Sequence, residues 1–312
     1  MKNGTFYKYE ISVGIISFNP KWEKLLKTVT SIINQKNIKI QLIIADDGSY
    51  DNYFNEIEKF LKKEGFSDYC LIDNPTNQGT VKNCLSAVQH AEYSVVKLIG
   101  PGDYFSSDTM LYEWVDWFMV QGASWSFCDA YYYFESSSGE ISLKQCKANP
   151  KCITPYKEMK IDKIRWYYVA YGDLCLGAVT LFKKEILLKY LDIIQNRVVY
   201  AEDNILSLMM LDRISVVYFD KHAVVYEYGS GISTNSNSLW QKKIRKDYEQ
   251  TCQIMLERIK ETNQSDWLIR GAIRVNKIEN RWIRVVVKSF LPFYLLYRIR
   301  KGRKTPSVWL EE

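Results

Sequence analysis

An apolar run that ends in two carboxylates and a glycine constrains this chain more than any other feature. Residues 41–49 read Gln-Leu-Ile-Ile-Ala-Asp-Asp-Gly-Ser. Consecutive branched apolar residues are typical of a strand that is buried on both faces of a parallel sheet. Glycine accepts a positive φ, and Asp and Ser bond to nearby backbone, so the strand ends in a turn. Open α/β sheets bind ligands at the carboxyl ends of such strands, which makes Asp46 and Asp47 candidate ligand-binding residues.

Predicted strands and helices alternate on both sides of this run. Strands are predicted at residues 11–17, 40–45, 70–73 and 94–99, and helices at residues 22–34, 53–63, 80–91 and 107–120. This alternation predicts an α/β fold with a mostly parallel sheet flanked by helices. An Asp-Asp-Gly turn alone is better explained by solvated acids at a plain turn, because this tripeptide is common, so the interpretation of Asp46 and Asp47 depends on this context.

The remainder of the chain has weaker periodicity. Further strands are predicted at residues 124–134, 174–182, 215–219 and 223–228, and further helices at residues 183–195, 204–211, 242–261 and 266–288. Residues 141–172 show no clear period and predict irregular structure with one short helix. Residues 136–140 predict a hairpin turn. The glycines at 229 and 231 predict a loop that is either a mobile lid or a simple turn.

Four short motifs follow one another in a fixed order. They are the strand end Ser17-Phe-Asn19, the turn Asp46-Asp-Gly-Ser, the segment Asn77-Gln-Gly-Thr-Val-Lys-Asn83 and the turn Gly100-Pro-Gly-Asp103. In this order and at this spacing they resemble a family 2 glycosyltransferase of the GT-A fold. The match covers about the first 130 residues well and residues 175–235 more loosely. The resemblance implies a Rossmann-like GT-A domain over residues 1–235 and a helical, basic and aromatic region over residues 236–312.

The resemblance also implies a pocket for a nucleotide sugar. Its nucleotide-binding residues would be Ser17, Asn19, Asp46, Asp47, Asn77, Gly79 and Lys82. We favour Asp47 over Asp46 as the carboxylate that accepts a hydrogen bond from the base. Lys82 is explained equally well as a solvated residue on a helix.

The metal site departs from the family pattern. The family has Asp-x-Asp, whereas this chain has Gly100-Pro-Gly-Asp103 and retains only the last acid. Mg²⁺ is commonly held by one or two carboxylates together with substrate phosphates, so the resemblance still implies Mn²⁺ or Mg²⁺ at Asp103. The alternative is a surface turn that holds no metal.

Glu202 and Asp203 match the acidic pair that precedes a helix in the family. The resemblance implies that Asp203 is the general base and that Glu202 supports it, while an ordinary helix cap is the alternative. One base in a single displacement implies inversion at the anomeric carbon. The Gln-x-x-Arg-Trp element of processive relatives is absent, because Gln241-Lys-Lys-Ile-Arg245 is only loosely similar to it. We therefore expect non-processive transfer.

Cysteine and histidine usage excludes several classes of site. The seven cysteines include no Cys-x-x-Cys pair, which argues against a disulfide framework or a zinc site and favours a reducing compartment. With two histidines, a histidine-rich metal site is also excluded. The first ten residues lack the apolar core of a signal peptide, so we expect a cytoplasmic protein.

The C-terminal region carries most of the positive charge. Residues 270–304 contain eleven Lys or Arg residues and one acid, whereas the net charge of the whole chain is +6. The apolar run 290–297 is too short to span a bilayer, but an aromatic patch beside cations suits a membrane interface. The alternatives are packing on the same chain or on a second copy in a homo-oligomer. No nucleic-acid motif accompanies the basic residues.

These observations lead to one functional hypothesis. The chain would move a sugar from a nucleotide donor, with UDP favoured, to a hydroxyl of a glycan or a polyprenyl-diphosphate-linked acceptor at the inner face of the cell membrane, in surface polysaccharide synthesis. The missing acid near Gly100 motivates an alternative, a nucleotide-binding protein without transfer activity. A nucleotidyltransferase is disfavoured because residues 18–22 supply no glycine-rich phosphate loop.

Overall fold

Strands from both halves of the chain join in one curled sheet that helices cover. The computed structural model describes residues 7–135, 141–146, 150–228, 238–262, 266–292, 294–302 and 308–309. Its strands are β1 (Glu10–Ser17), β2 (Lys39–Asp46), β3 (Tyr69–Asp73), β4 (Val95–Ile99), β5 (Tyr104–Phe105), β6 (Trp125–Glu135), β7 (Ile141–Cys146), β8 (Thr180–Lys183), β9 (Val216–Glu227) and β10 (Val308–Trp309).

Twelve α-helices lie in the described residues. They are α1 (Trp22–Ile33), α2 (Phe54–Lys63), α3 (Thr80–Gln89), α4 (Met110–Gln121), α5 (Thr154–Lys157), α6 (Ile161–Arg165), α7 (Lys184–Ile194), α8 (Ile205–Leu211), α9 (Ser238–Glu261), α10 (Trp267–Asn276), α11 (Arg281–Lys288) and α12 (Tyr294–Gly302). The predicted turn at 136–140 and the glycine loop at 229–233 lie outside the described residues.

The first four long strands pair in parallel, in the order β3-β2-β1-β4. β1 and β2 are almost entirely buried, as their runs of branched residues predict. Their register places Ser17 opposite Asp46. The strands therefore end level with one another, and the predicted ligand-binding residues of two motifs meet at one edge.

The other half of the sheet is mixed. β8 pairs antiparallel with β4 and with β6, and β7 pairs antiparallel with β6. Only five residues separate β6 from β7, and a parallel crossover needs a dozen or more, so an antiparallel return is the only route. β9 runs parallel to β6 and antiparallel to β5. The predicted α/β class is confirmed, but the parallel arrangement is limited to part of the sheet.

Four local predictions are wrong. Residues 141–172 are not irregular, because they form β7, α5, α6 and a π-helical segment at Trp166–Tyr171. The predicted strand 174–182 is a 3-10 turn, Gly177–Val179, followed by β8. The two strands at 215–228 are one continuous strand, β9. The long helix at 266–288 is two helices, because the Asn280 side chain accepts from the N–H groups of Trp282 and Ile283 and starts α11.

The C-terminal helices share the core of the sheet. Met255 of α9, Ile269 and Ile273 of α10 and Tyr297 of α12 are buried in the same apolar cluster as β1 and β2. α10 packs on α9 and on the π-helical segment. Among the described helices, none combines the length and the apolar sequence that a bilayer span requires.

Candidate active site

A cavity of about 550 Å³ opens at the carboxyl ends of β1 and β4. Asp47, Asp103 and Asp203 all line it, although they come from three distant parts of the chain. Open α/β sheets bind their ligands at the carboxyl ends of the parallel strands. We call this space the strand-end cavity.

Ser17 and Asn19 form one wall of the strand-end cavity. The Ser17 side chain is buried, and its Oγ has no hydrogen-bond partner among the described residues. Asn19 holds the neighbouring turn: its N–H donates to Ser49 Oγ over 2.6 Å, and its Oδ1 accepts from the Tyr50 N–H over 3.1 Å. A buried hydroxyl without a partner is costly unless a ligand or water completes it.

The two adjacent aspartates have different surroundings. Asp46 accepts from the N–H and the Oγ of Ser49 at 2.7 and 2.6 Å, so both its oxygens hold the Asp-Gly-Ser turn, and it does not line the cavity. Asp47 lines the cavity and accepts from the N–H groups of Gln78 and Gly79 at 2.9 and 2.8 Å. Burial raises the pKa of Asp47, and these two hydrogen bonds oppose the shift.

Gly79, in the loop before α3, lies against Val199, which is three residues before Glu202. Gly79 has φ of +93°, and a Cβ there would lie 2.4 Å from Val199 Cγ1. The Val81 N–H also donates to the Val199 carbonyl over 3.0 Å. Asn77 and Lys82 are exposed and do not line the cavity, and Lys82 Nζ donates to Gln78 Oε1. The surroundings of Lys82 thus match its interpretation as a solvated helix residue.

Asn83 is a cavity residue that the sequence analysis missed. Its Nδ2 donates to the carbonyls of Ser17 and Ala45 at 3.1 and 2.9 Å, and its Oδ1 accepts from Asn74 Nδ2. Asn83 therefore ties the ends of β1 and β2 to α3. Its place as the last residue of the third motif was the available signal.

Hydrogen bonds hold the Gly-Pro-Gly-Asp turn in place at the wall of the strand-end cavity. Thr28 Oγ1 donates to the Asp103 carbonyl over 2.8 Å and accepts from the Gly102 N–H over 2.9 Å. The Tyr133 hydroxyl donates to the Gly102 carbonyl over 2.7 Å. Burial raises the pKa of Asp103 to about 7, and the hydrogen bond from the Glu227 N–H opposes the rise.

Glu227, at the end of β9, is a second carboxylate beside Asp103 that the sequence analysis did not identify. Its own N–H donates to Asp103 Oδ1 over 2.9 Å, and its side chain is 7% exposed and lines the cavity. Lys24 Nζ pairs with Oε1, whereas Oε2 has no partner among the described residues. A Cβ at Gly102 would lie 2.4 Å from Oε2, so this glycine makes room for the carboxylate. Glu227 lies outside the four motifs and the acidic pair by which the other candidate residues were found.

Glu202 and Asp203 form a 3-10 turn just before α8. Buried Asp247 accepts from the N–H groups of Tyr200 and Ala201 at 2.6 and 3.1 Å, which fixes the approach to this turn. Loss of water raises the pKa of both carboxyls, and the charge of Asp203 raises that of Glu202 further. An acid whose pKa is raised toward neutrality suits a general base.

A second cavity, of about 650 Å³, adjoins the first. Three residues line both cavities: Thr80, Glu202 and Asp203. We call the second space the tyrosine cavity, because Tyr168, Tyr171, Tyr200 and Tyr248 line it. Gln241 and Arg245 line it as well. Asp203 therefore lies where the two cavities meet.

Metal-binding groups are few in the part of the chain that the structure describes. There, no cluster of three or more His, Cys, Asp and Glu side chains is arranged to hold an ion. Asp103 and Glu227 supply two adjacent carboxylates, one of them with an oxygen that has no partner. Two carboxylates plus substrate phosphates suffice for Mg²⁺ in many nucleotide enzymes, so the donor set fits a divalent ion.

Comparisons with solved structures show the same fold. Residues 1–349 of S. aureus TarS in complex with UDP-GlcNAc superpose with a TM-score of 0.52 at 13% identity, over 98% of this chain and 99% of that one. The mannosyltransferase PcManGT from Pyrobaculum calidifontis, with GDP-Man and Mn²⁺, gives 0.52 at 11% identity, over 96% and 84%. Longer S. aureus TarS gives 0.51 at 12% identity, and this chain spans about half of it, 54%.

Sequence comparison identifies the family. No curated protein matches the chain in sequence. The pattern of Glycosyl transferase family 2 matches residues 12–184, more than half of the chain, and contains all four motifs between Ser17 and Asp103. The predicted resemblance is confirmed, and with it the GT-A fold: the chain belongs to glycosyl transferase family 2.

Proposed function

We propose that this protein transfers a sugar from a nucleotide donor, with UDP favoured, to a hydroxyl of a glycan or lipid-linked acceptor. One observation carries the proposal: Asp47, Asp103 and Asp203 line a single cavity, and Asp203 also lines a second one. Transfer needs a donor site, an acceptor site and a base between them. The neighbouring structures hold UDP-GlcNAc and GDP-Man, which supports a nucleotide sugar as donor.

The strand-end cavity is the proposed donor site. Ser17, Asn19 and Asp47 would contact the nucleoside, and Asp47 still has lone pairs for an N–H of the base. Gly79 shapes the loop that Asp47 holds, and Asn77 and Lys82 would act only from the rim. Asp46 would act indirectly, through the turn that it fixes with Ser49.

Asp103 and Glu227 are the proposed ligands of Mn²⁺ or Mg²⁺. When bound, such an ion would neutralise charge on the leaving diphosphate. Lys24 pairs with Glu227 and lines the same cavity, so it can donate to a phosphate oxygen. The Mn²⁺ in the PcManGT structure supports a divalent ion.

Asp203 is the proposed base. Its carboxylate would take the proton of the acceptor hydroxyl while that oxygen attacks the anomeric carbon from the side opposite the diphosphate, which inverts the configuration. Glu202 lies next to it, and burial together with the charge of Asp203 raises the pKa of Glu202, so Asp203 is the member of the pair that loses its proton first. We propose a single transfer per encounter, because the tyrosine cavity contains Gln241 and Arg245 without the following tryptophan.

The C-terminal helices are the proposed contact with the inner face of the cell membrane. Large apolar side chains are exposed there: Trp282, Ile283, Val286, Phe290, Leu295, Leu296 and Ile299. An apolar surface beside many cations suits an interface with anionic lipids, where each cation contributes about 1 kcal/mol. We propose that residues 1–235 form the glycosyltransferase domain and that residues 236–312 form the membrane-facing region. Self-association through the same surface is the alternative.

A donor assay tests the proposal. The protein is incubated with UDP-, GDP- and dTDP-sugars, with Mn²⁺ or with a chelator, and release of nucleoside diphosphate is measured. We expect release from one nucleotide class, lost with chelator and lost in Asp47→Ala. Binding of a nucleotide sugar without release, with or without acceptor, would instead favour the binding protein without transfer activity.

A further inference from the structure

Trp240, in the first turn of α9, places a partly exposed aromatic ring in the wall of the strand-end cavity. Two other aromatic residues of this wall, Phe182 and Tyr226, are 3% and 8% exposed and belong to the core. The fourth, Phe18, directly follows Ser17 and so lies on the nucleoside side. Among the described residues of the cavity wall, Trp240 and Phe18 are therefore the aromatic rings that a ligand can reach.

Trp240 lies beside the place where the two cavities meet. Its ring centroid is 5.2 Å from that of Tyr200, and the two rings pack edge to face at 90°. Tyr200 lines the tyrosine cavity and comes three residues before Asp203. Gln241, the residue after Trp240, lines the tyrosine cavity as well. The indole ring thus stands at the Asp203 end of the strand-end cavity.

Contacts from α9 hold this ring in position. The Nζ of Lys243 lies 4.3 Å from the ring centroid of Trp240 and 4.9 Å from that of Tyr200. Lys243 Nζ also donates to the Tyr200 hydroxyl over 3.4 Å. Asp247, one turn further along α9, accepts from the Tyr200 N–H over 2.6 Å. A ring that is already oriented loses little conformational freedom when a ligand packs on it.

The strand-end cavity also has room beside Glu202 and Asp203. Gly177 lines the cavity there, and a Cβ on it would lie 3.1 Å from Asp203 Cβ and 3.3 Å from Glu202 Oε1. The next lining residue, Ala178, is small too. A larger side chain at position 177 would crowd the two acids, so the glycine keeps this space open for a ligand.

We propose that Trp240 packs against the sugar ring of the nucleotide donor and helps to determine which sugar is transferred. The inference rests on the proposed transfer reaction. In that reaction the nucleoside lies near Asp47 and the anomeric carbon must lie within reach of Asp203, so the sugar occupies the end of the cavity where Trp240 stands. One face of a pyranose carries C–H groups, and the apolar face of an indole ring is complementary to it.

A comparison of UDP with three UDP-sugars tests the proposal. The affinities for UDP, UDP-glucose, UDP-galactose and UDP-GlcNAc are measured by calorimetric titration with Mn²⁺ and without acceptor. In Trp240→Ala we expect the UDP-sugar that binds the wild-type protein most tightly to lose about 3- to 10-fold in affinity, as for loss of a packed aromatic contact, and UDP to stay within about 2-fold. The unchanged affinity for UDP also shows that the variant folds.

Two further variants and a kinetic readout complete the test. Trp240→Phe keeps an aromatic ring and should retain most of the affinity for the UDP-sugar. Trp267→Ala is the matched control, since Trp267 is 74% exposed on α10 and lines neither cavity. In donor hydrolysis, the loss in Trp240→Ala should lie mainly in KM, because the contact is already made in the bound donor.

The outcomes separate this inference from the reaction on which it rests. Equal loss of affinity for UDP and for the UDP-sugars in Trp240→Ala, or no loss for either, would overturn the contact with the sugar. A fall in kcat with unchanged affinities would instead assign Trp240 to positioning Asp203 through Tyr200, and would overturn it too. A wild-type protein that binds neither UDP nor any of the three UDP-sugars would contradict the proposed donor itself.

Discussion

The backbone N–H of Glu227 donates to Oδ1 of Asp103 over 2.9 Å, although 124 residues separate them in the chain. β5, which follows Asp103 directly, pairs with β9, which ends at Glu227. The hydrogen bond and the short strand pairing together hold two carboxylates side by side. The Gly100-Pro-Gly-Asp103 turn lacks the first acid of the Asp-x-Asp motif, and Glu227 brings a second acid to Asp103 from a different strand.

Replacement of the Glu227 carboxylate should weaken metal binding. Glu227→Gln removes a charged oxygen ligand and leaves the cation of Lys24 nearby, and both changes disfavour Mn²⁺. We expect Mn²⁺ affinity in the presence of UDP to fall about 10-fold or more by calorimetric titration. Glu23→Gln, one residue from Lys24 but exposed, is the control. Equal affinities in the two variants would exclude Glu227 as a ligand.

A side chain at Gly102 should damage the same site. Gly102 has φ of +105°, and the Cβ of an alanine would lie 2.4 Å from Glu227 Oε2. We expect Gly102→Ala to lose most donor turnover and about 1–3 kcal/mol of unfolding free energy, measured by urea denaturation. Gly122→Ala has a similar positive φ of +65° with open space around its Cβ. It should cost less stability and leave turnover intact, and an equal loss of turnover would argue against a steric effect at Glu227.

Glu202 and Asp203 should make the fold less stable as the pH rises. Burial raises the pKa of Glu202 and Asp203 above the values of about 4 that they have in an unfolded chain. Between the ordinary and the raised values, the folded protein binds more protons than the unfolded chain, so the free energy of unfolding falls with pH across that window. Glu202→Gln should therefore raise Tm by about 2–4 °C at pH 7.5 and by less at pH 4. A lower Tm at pH 7.5 would contradict this account.

Part of the site was predictable because its residues lie next to the strands that place them. Asp47 and Asp103 follow buried strands whose apolar runs are visible in the sequence, and parallel register brings their ends to one edge. Asp203 was predicted through its neighbour Glu202 and its position in the motif order. The cavity that these three carboxylates share is the geometry that the hypothesis required.

The missed residues depend on contacts between distant segments. Glu227 and Lys24 belong to β9 and α1, and no local pattern indicates that they pair. Asp46 was grouped with Asp47, but its register and its hydrogen bonds to Ser49 turn it away from the cavity. The outward position of the apolar residues of α11, among them Trp282 and Val286, is likewise set by packing and not by any local pattern.

The most direct test of the account is transfer by Asp203→Asn. The substitution keeps the shape of the side chain and removes its ability to accept a proton. With the best donor and a saturating acceptor, we expect kcat to fall about 10² to 10⁴-fold, with affinity for UDP within about 2-fold of wild type. The control is Asp192→Asn, exposed on α7. If Asp203→Asn transfers sugar as fast as this control, Asp203 is not the base, and the proposed mechanism is wrong.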